Sequence, residues 1–494
     1  MSQNWVVKES LIYSILYYIG VSIGLVSTLF VYPRDLELYG LYGFLTNTAS
    51  LFTPFITLGF GAVLIRYFPY HSHQGKGGSA VFTLVIFGYL LGALLFSLIF
   101  FFLQDKLIFL WPNTDPQIMN FIFWVWPLTL LYVLYDLIQT CSVNHQRIAF
   151  PAMLVNFFKI ILPILFLLVI YKELDRRVFI FCVITYYALI SVLLFRYIRK
   201  LNPDLFRFNF SLFSSLHLKS ILNFAAFNII SGVAAVMALR IDALMVASMM
   251  GAKSAGLFVL ALFMSNAVFI PAQSLVDLLN PSVSTAAKSN DLTSLKNLYS
   301  KSVIHMLIPT TALSLVLLFS FDDLAQIMPN SVEIVKIKIV LAFLLVARMV
   351  DAATGVNHHV INYSKFYRIE TGLLLFLAVS NISFNYLLIP IYGIEGAAVG
   401  TLISVSAYNL IKSFMVWWLM GLNPFGIQFI KLLTFISLVG IILYLFPNTA
   451  NSWVNMAINV LIICVLYLWM IFKTNIAEDL RNYFLKFLKK YKSS

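Results

Sequence analysis

The chain has 494 residues, 61% of them hydrophobic and only 11% charged, with a mean hydropathy of +0.91. A soluble domain carries about 25% charged residues, so this composition excludes one and predicts a polytopic membrane protein. The formal net charge of +13 sits mainly in short loops and the tail, as the positive-inside rule expects, and does not mark a nucleic-acid partner.

The apolar runs are mostly near the length a helix needs to cross about 30 Å of hydrocarbon. They lack the alternation of barrel strands, so the expected fold class is all-α, with about fourteen transmembrane helices. The first apolar segment, 11–32, is too long for a signal-peptide core and lacks a small-residue cleavage site, so it reads as a retained helix. Six spans begin near Leu11, Gly43, Ala80, Met119, Phe150 and Val178. Six more begin near Leu222, Ser254, Val303, Ile334, Ile369 and Ile394, and a final pair near Ile427 and Trp453. The expected organisation is an N-lobe at 1–200, an amphipathic linker at 201–218, a C-lobe at 219–420, a helix pair at 421–473 and a basic amphipathic tail at 474–494.

Lysine and arginine counting places both termini in the cytoplasm. The inside loops then carry Arg66 and Lys76, Arg147, Arg196, Arg199 and Lys200, and later Lys288, Lys296, Lys301, Lys365 and Arg368. Two groups count against this topology: Lys172 with Arg176 and Arg177, and Lys336 with Lys338. The tail interleaves apolar residues at helical spacing with lysines, which suits an anionic inner leaflet and makes membrane lipids a partner.

The two halves share a weak repeat. Leu38-Tyr39-Gly40-Leu41-Tyr42 and Ser254-Ala255-Gly256-Leu257-Phe258 lie 216 positions apart. Nearly the same offset carries Arg147-Ile148-Ala149-Phe150 onto Tyr363-Ser364-Lys365-Phe366, and Asp136 to within a residue of Asp351. Internal duplication is how many transporters are built, with the substrate site between the repeats.

No phosphate-binding Gly-x-x-x-x-Gly-Lys-Ser/Thr loop occurs, and Gly75-Lys76-Gly77-Gly78 reads as a flexible turn. Cys141, Cys182 and Cys464 are far apart in sequence, without a metal-binding spacing or a disulfide framework. His71, His73, His358 and His359 fall near span ends without an evident carboxylate cluster and read as interfacial polar residues. Neither a metal nor a cofactor is expected.

Ionisable groups inside spans are costly and face a partner or a wet cavity. Lys159 lies too deep to reach the interface easily. Arg240 and Asp242 are two apart and point to different faces, which makes Arg240 the leading cavity candidate. Arg348 and Asp351 are one turn apart and can neutralise one another. Arg66 is at a span end, where snorkelling competes with a cavity role. The substrate-binding candidates are therefore Arg240, Lys159, Arg348 and Arg66, and the coupling or structural carboxylates are Asp242, Asp351 and Asp136. A cationic cavity suits an anionic cargo such as a diphosphate head group.

The six-plus-six-plus-two grouping resembles the multidrug/oligosaccharidyl-lipid/polysaccharide exporter superfamily. Several phrases resemble its polysaccharide branch, the O-antigen and capsule repeat-unit flippases of the Wzx type. They are Tyr39-Gly40-Leu41-Tyr42, Leu58-Gly59-Phe60-Gly61, Arg66-Tyr67-Phe68-Pro69, Arg240-Ile241-Asp242, Gly251-Ala252-Lys253-Ser254-Ala255-Gly256, and the run from Leu388 to Ala398. The resemblance implies two six-helix lobes around a cavity that opens alternately to each side. It implies undecaprenyl-diphosphate-linked oligosaccharide as cargo, moved from the inner to the outer leaflet of a bacterial inner membrane, without enzymatic chemistry. Polysaccharide polymerase machinery is an implied partner, and Na+ or H+ an implied coupling ion. A cation-coupled multidrug exporter of the same superfamily is the alternative. A membrane glycosyltransferase or polymerase would need acidic or metal-binding motifs in a large outer loop, and the expected outer loops are short.

Overall fold

A computed structural model describes residues 3–73, 78–109, 119–145, 147, 149–206, 218–447 and 449–482. Among these residues the regular structure is helical, with no strand. The glycine turn 74–77 and most of the expected linker and tail lie outside the described residues, as do the side chains of His71 and His73. Nine described helices are long and apolar enough to cross a membrane, or ten if the pair Leu36–Thr57 and Phe60–Phe68, bent by 57°, makes one span.

Two of these spans are far longer than a bilayer. Leu218–Ala287 has 70 residues and Arg368–Met420 has 53. At about 1.5 Å rise per residue either one, if straight, would cross the hydrocarbon more than twice over. Each contains one residue with non-helical dihedrals: Gly251, with φ 85° and ψ 176°, and Gly393, with φ 61° and ψ −139°. A side chain would be strained at both. Gly251 falls between the spans expected to begin near Leu222 and Ser254, and Gly393 between those expected near Ile369 and Ile394.

The chain divides into two compact units, 1–259 and 260–494. In the first, α1 (Gln3–Phe30) packs on α6 (Ala149–Ile170), and α2 (Leu36–Thr57) packs on both α4 (Gly78–Phe109) and α5 (Val125–Asn144). The short α3 (Phe60–His73) packs on α4, and α7 (Arg176–Leu201) on α5. Val63, Val81, Val85, Leu194 and Ile198 are fully buried in the core that these helices share. The first unit ends within α8 (Leu218–Lys288).

In the second unit α9 (Leu292–Phe319) is followed by the short α10 (Phe321–Ile327) and α11 (Lys338–Ala353). Then come α12 (Asn357–Asn362), α13 (Tyr367–Met420), α14 (Ile427–Leu445) and α15 (Ser452–Lys473). α11 packs on both α9 and α13, and α12 lies on α13.

The repeated phrases meet each other inside the first unit. A Cβ added to Gly40 would run into the backbone carbonyl of Ala252 and lie 2.7 Å from the amide nitrogen of Gly256. One added to Gly256 would run into the carbonyl of Leu36 and lie 3.2 Å from the amide nitrogen of Gly40. Leu36 and Ala252, like the two glycines, are 216 positions apart, so the contact is reciprocal under the repeat. Such close backbone approach is how small residues pack membrane helices where lipid supplies no hydrophobic drive between them.

Three of the five basic residues that count against the topology, Arg176, Lys336 and Lys338, are ion-paired. Arg176 Nη2 lies 3.2 Å from Asp35 Oδ2 and 3.3 Å from Glu37 Oε2. Lys336 pairs with Glu333 at 3.2 Å, and Lys338 with Asp322. Asp35 also caps α2, accepting from the Leu38 amide at 2.9 Å.

Gly256→Leu should overpack the α2–α8 crossing, at a cost of about 1–3 kcal/mol or more, and lower the thermal denaturation midpoint of the purified protein. Gly372→Ala is the control: a Cβ there meets nothing within 4 Å. It should be neutral or stabilise by up to about 1 kcal/mol through helix propensity. Equal effects of the two substitutions would refute the close-packing account.

Candidate functional site

Side chains two apart on a helix are separated by about 200°, and Arg240 and Asp242 on α8 behave accordingly. Asp242 is buried at 4% exposure. Arg240 is exposed, and its Nη1 donates to Asn47 Oδ1 of α2 at 3.2 Å. Its charge reaches Tyr42 on α2 and Tyr132 on α5. Tyr132 donates to the hydroxyl of Tyr187 on α7 at 3.4 Å, with ring centroids 4.8 Å apart. The three tyrosines are half-buried. The first unit thus sets one guanidinium among phenolic rings, each with an apolar face and a polar tip.

The other candidates of this unit lie elsewhere. Lys159 and Asn156 of α6 face Gly20 of α1: a Cβ there would clash with Asn156 Oδ1 and lie 3.1 Å from Lys159 Nζ. Asp136 Oδ2 accepts from the Tyr89 hydroxyl at 2.8 Å. Arg66 of α3 is exposed, its guanidinium 4.5 Å from the centre of the ring of Phe224, near the start of α8.

In the second unit Arg348 Nη1 and Asp351 Oδ2 form an ion pair at 3.0 Å along α11. Asp351 Oδ1 accepts from Asn409 Nδ2 of α13 at 2.6 Å, and Asn409 Oδ1 accepts from Thr354 Oγ1 at 3.0 Å. A half-buried carboxylate is in this way supplied with a cation and an amide, as charges in low dielectric require.

Next to this chain of bonds lies a cluster that reading the sequence missed. Glu370, near the start of α13, is 2% exposed, and Lys412, near its end, is 3% exposed. Glu370 Oε1 accepts from the Tyr408 hydroxyl at 2.6 Å and lies 2.7 Å from His358 Nδ1. Lys412 Nζ is farther from the same oxygen, at 3.8 Å, and sits 3.9 Å from the centre of the Tyr408 ring. Glu370 Oε2 is buried without a hydrogen-bond partner.

His358 is therefore not an interfacial residue without carboxylate support. The turn at Gly393 folds α13 back on itself and brings Tyr408 and Lys412 to Glu370, a proximity that sequence distance hides. The available signal was Lys412, a lysine in the apolar run 401–420 with Tyr408 one turn before it. Among the described residues no group of three or more histidines, cysteines or carboxylates is arranged to hold a metal.

No protein-family model and no curated protein sequence matches the chain. Solved structures do share its fold. The lipid II flippase MurJ in an inward closed conformation superposes with a TM-score of 0.71, covering 94% of this chain and 97% of its own at 17% identity. An inward-facing multidrug resistance transporter of the MATE family, in the MOP superfamily, gives 0.64, with 82% and 94% covered at 13% identity. A MOP-superfamily transporter from Pyrococcus furiosus, whose binding pocket is described as having reversed polarity, gives 0.55, with 84% and 95% covered at 11% identity. The fold is therefore that of MOP-superfamily transporters.

Removing the ammonium alone, by Lys412→Met, leaves the Glu370 carboxylate buried without a counter-charge. The loss should be about 3–5 kcal/mol, read as a lowered thermal midpoint in detergent. Lys412→Met combined with Glu370→Gln should recover most of it. Additive losses in the double variant would show that the two groups do not act as a pair.

Proposed function

We propose that the chain is a flippase for undecaprenyl-diphosphate-linked oligosaccharide, moving its cargo from the inner to the outer leaflet of a bacterial inner membrane by alternating access. The observation that carries this reading is the exposed Arg240 guanidinium, held by Asn47 and within electrostatic reach of Tyr42 and Tyr132, with Tyr187 bonded to Tyr132. A guanidinium binds two phosphate oxygens at once, while phenolic side chains offer hydroxyls for sugar hydroxyls and flat faces for apolar sugar surface. The likeness to a lipid II flippase over nearly the whole chain supports a lipid-linked cargo of this kind. Transport of such a cargo involves no covalent step, and binding energy is spent on shifting conformational populations.

A second reading is a cation-coupled multidrug exporter, supported by the likeness to a multidrug resistance transporter. It asks for a cavity that attracts cationic drugs, whereas Arg240 repels them. The Asp136 carboxylate, bonded to Tyr89, is the first-unit group that this reading would use.

Arg240→Ala should abolish complementation of a flippase-deficient strain at normal membrane expression, and Arg240→Lys should restore part of it, since a lysine keeps the charge without the bidentate fork. Full activity of Arg240→Ala would remove this residue from the mechanism. Export of cationic dyes without any glycan phenotype would favour the second reading.

A further inference from the structure

The Glu370 cluster has no part in binding cargo as proposed above, and its construction is unusual for a structural ion pair. A carboxylate and an ammonium buried together normally meet at direct hydrogen-bond distance, with their remaining lone pairs and protons satisfied. Here the two short contacts to Oε1 come from His358 and Tyr408, Lys412 stands back at 3.8 Å, and Oε2 has no partner. One edge of the cluster is left uncovered by protein. The His358 side chain is 41% exposed, against 3% for Glu370 and 4% for Lys412.

We propose that His358 and Glu370 form a proton-binding site, loaded through the exposed imidazole, and that the bound proton displaces Lys412 from Glu370 toward Asp351. With His358 neutral, Glu370 and Lys412 cancel. One added proton, whether held on the imidazole or passed to Glu370, leaves the cluster with one uncompensated positive charge. An imidazolium at 2.7 Å competes with Lys412 for Oε1, and a carboxyl protonated on the open Oε2 has no charge left to offer it. Asp351 is the other carboxylate within electrostatic reach of Lys412. It holds Arg348 at 3.0 Å, so arrival of a second cation weakens that hold. Proton uptake at the His358 edge is thus transmitted through α13 to the arginine of α11.

The ion is a proton because the neighbouring charges suit no other cation. Besides Lys412, the cluster faces His359 on α12 and the Arg348–Asp351 pair on α11. Asp277 of α8 acts on His359, and the Tyr363 ring lies tilted beside it with centroids 6.0 Å apart. A metal cation would be repelled by the Lys412 ammonium, and among the described residues no three histidines, cysteines or carboxylates are arranged to hold one. In the topology expected from the lysine and arginine count, His358 opens toward the cytoplasm. Assigning the site to energy coupling rests on the transport reading, but proton binding itself does not.

The test is amide hydrogen exchange of the full-length protein in lipid nanodiscs at about pH 5.5 and about pH 8, bracketing the usual imidazole range, with correction for intrinsic exchange rates. In the wild type, the segment 355–366 and the end of α11 should exchange several-fold faster at acid pH. His358→Gln should abolish that difference, and so should the Glu370→Gln/Lys412→Met double variant, which keeps the cluster neutral. Arg240→Ala, which disables cargo binding in the flippase reading, should retain the wild-type pH response, so failure of that reading and failure of the proton site are distinguishable. Equal protection of the wild type at both pH values, or a response that survives His358→Gln, overturns the proposal.

Discussion

Close backbone contact between α2 and the segment of α8 after Gly251 is the constraint on which the first unit depends. Gly40 and Gly256 leave room for one another's backbone, and the reciprocal neighbours Leu36 and Ala252 fill the space that a Cβ would need. With so little separation the helix axes have almost no freedom to slide, because a shift of one residue would bring a side chain into the gap. Everything else that the unit places on α2 inherits that register. Asn47 follows Gly40 by seven residues, about two turns, and so lies on nearly the same face. That is the residue which holds Arg240. The small-residue crossing thus fixes where the one exposed guanidinium of the tyrosine group points.

Charges in a membrane chain divide by how they are satisfied. The pairs of Arg176, Lys336 and Lys338 are near helix ends, where water and long side chains share the work and exposed pairs contribute little. Arg348, Asp351, Glu370 and Lys412 are embedded, and there the geometry of hydrogen bonding decides the energy. Asp351 receives a cation on one oxygen and an amide on the other. Glu370 receives its donors on one oxygen only. The first arrangement is a satisfied network that rigidifies its helices. The second leaves an acceptor open in low dielectric, where an unmade hydrogen bond is costly.

The fold class was legible because composition and run length bound it: so few charges and so many apolar runs admit only membrane helices. The breaks at Gly251 and Gly393 were marked by glycine-containing phrases, and the Arg348–Asp351 pair followed from helical spacing alone. The opposite faces of Arg240 and Asp242 followed from spacing too. What spacing does not carry is contact between helices distant in sequence. Asn47 beside Arg240, Tyr89 beside Asp136 and Asn156 beside Lys159 at Gly20 required the fold, although the asparagine and the lysine of the last pair are neighbours on one helix. The Glu370 cluster was hidden twice, because its carboxylate stands at a span end, where charge is unremarkable, and its lysine follows 42 positions later.

The repeat makes the asymmetry of the chain interpretable. The offset that superposes Gly256 on Gly40 carries Arg240 back to Gly24 and Asp242 to Val26, so the first copy of this segment holds no charge where the second holds two. Two copies of an architecture tolerate such divergence because the small-residue contact sets the helix positions and leaves the faces away from it unconstrained. A charge acquired on one copy alone is not required by the packing that both share. It costs about 2.5–3.5 kcal/mol on insertion scales. Arg240 carries that cost on an exposed face with one amide to aim it, the placement that the proposed anion-binding role requires.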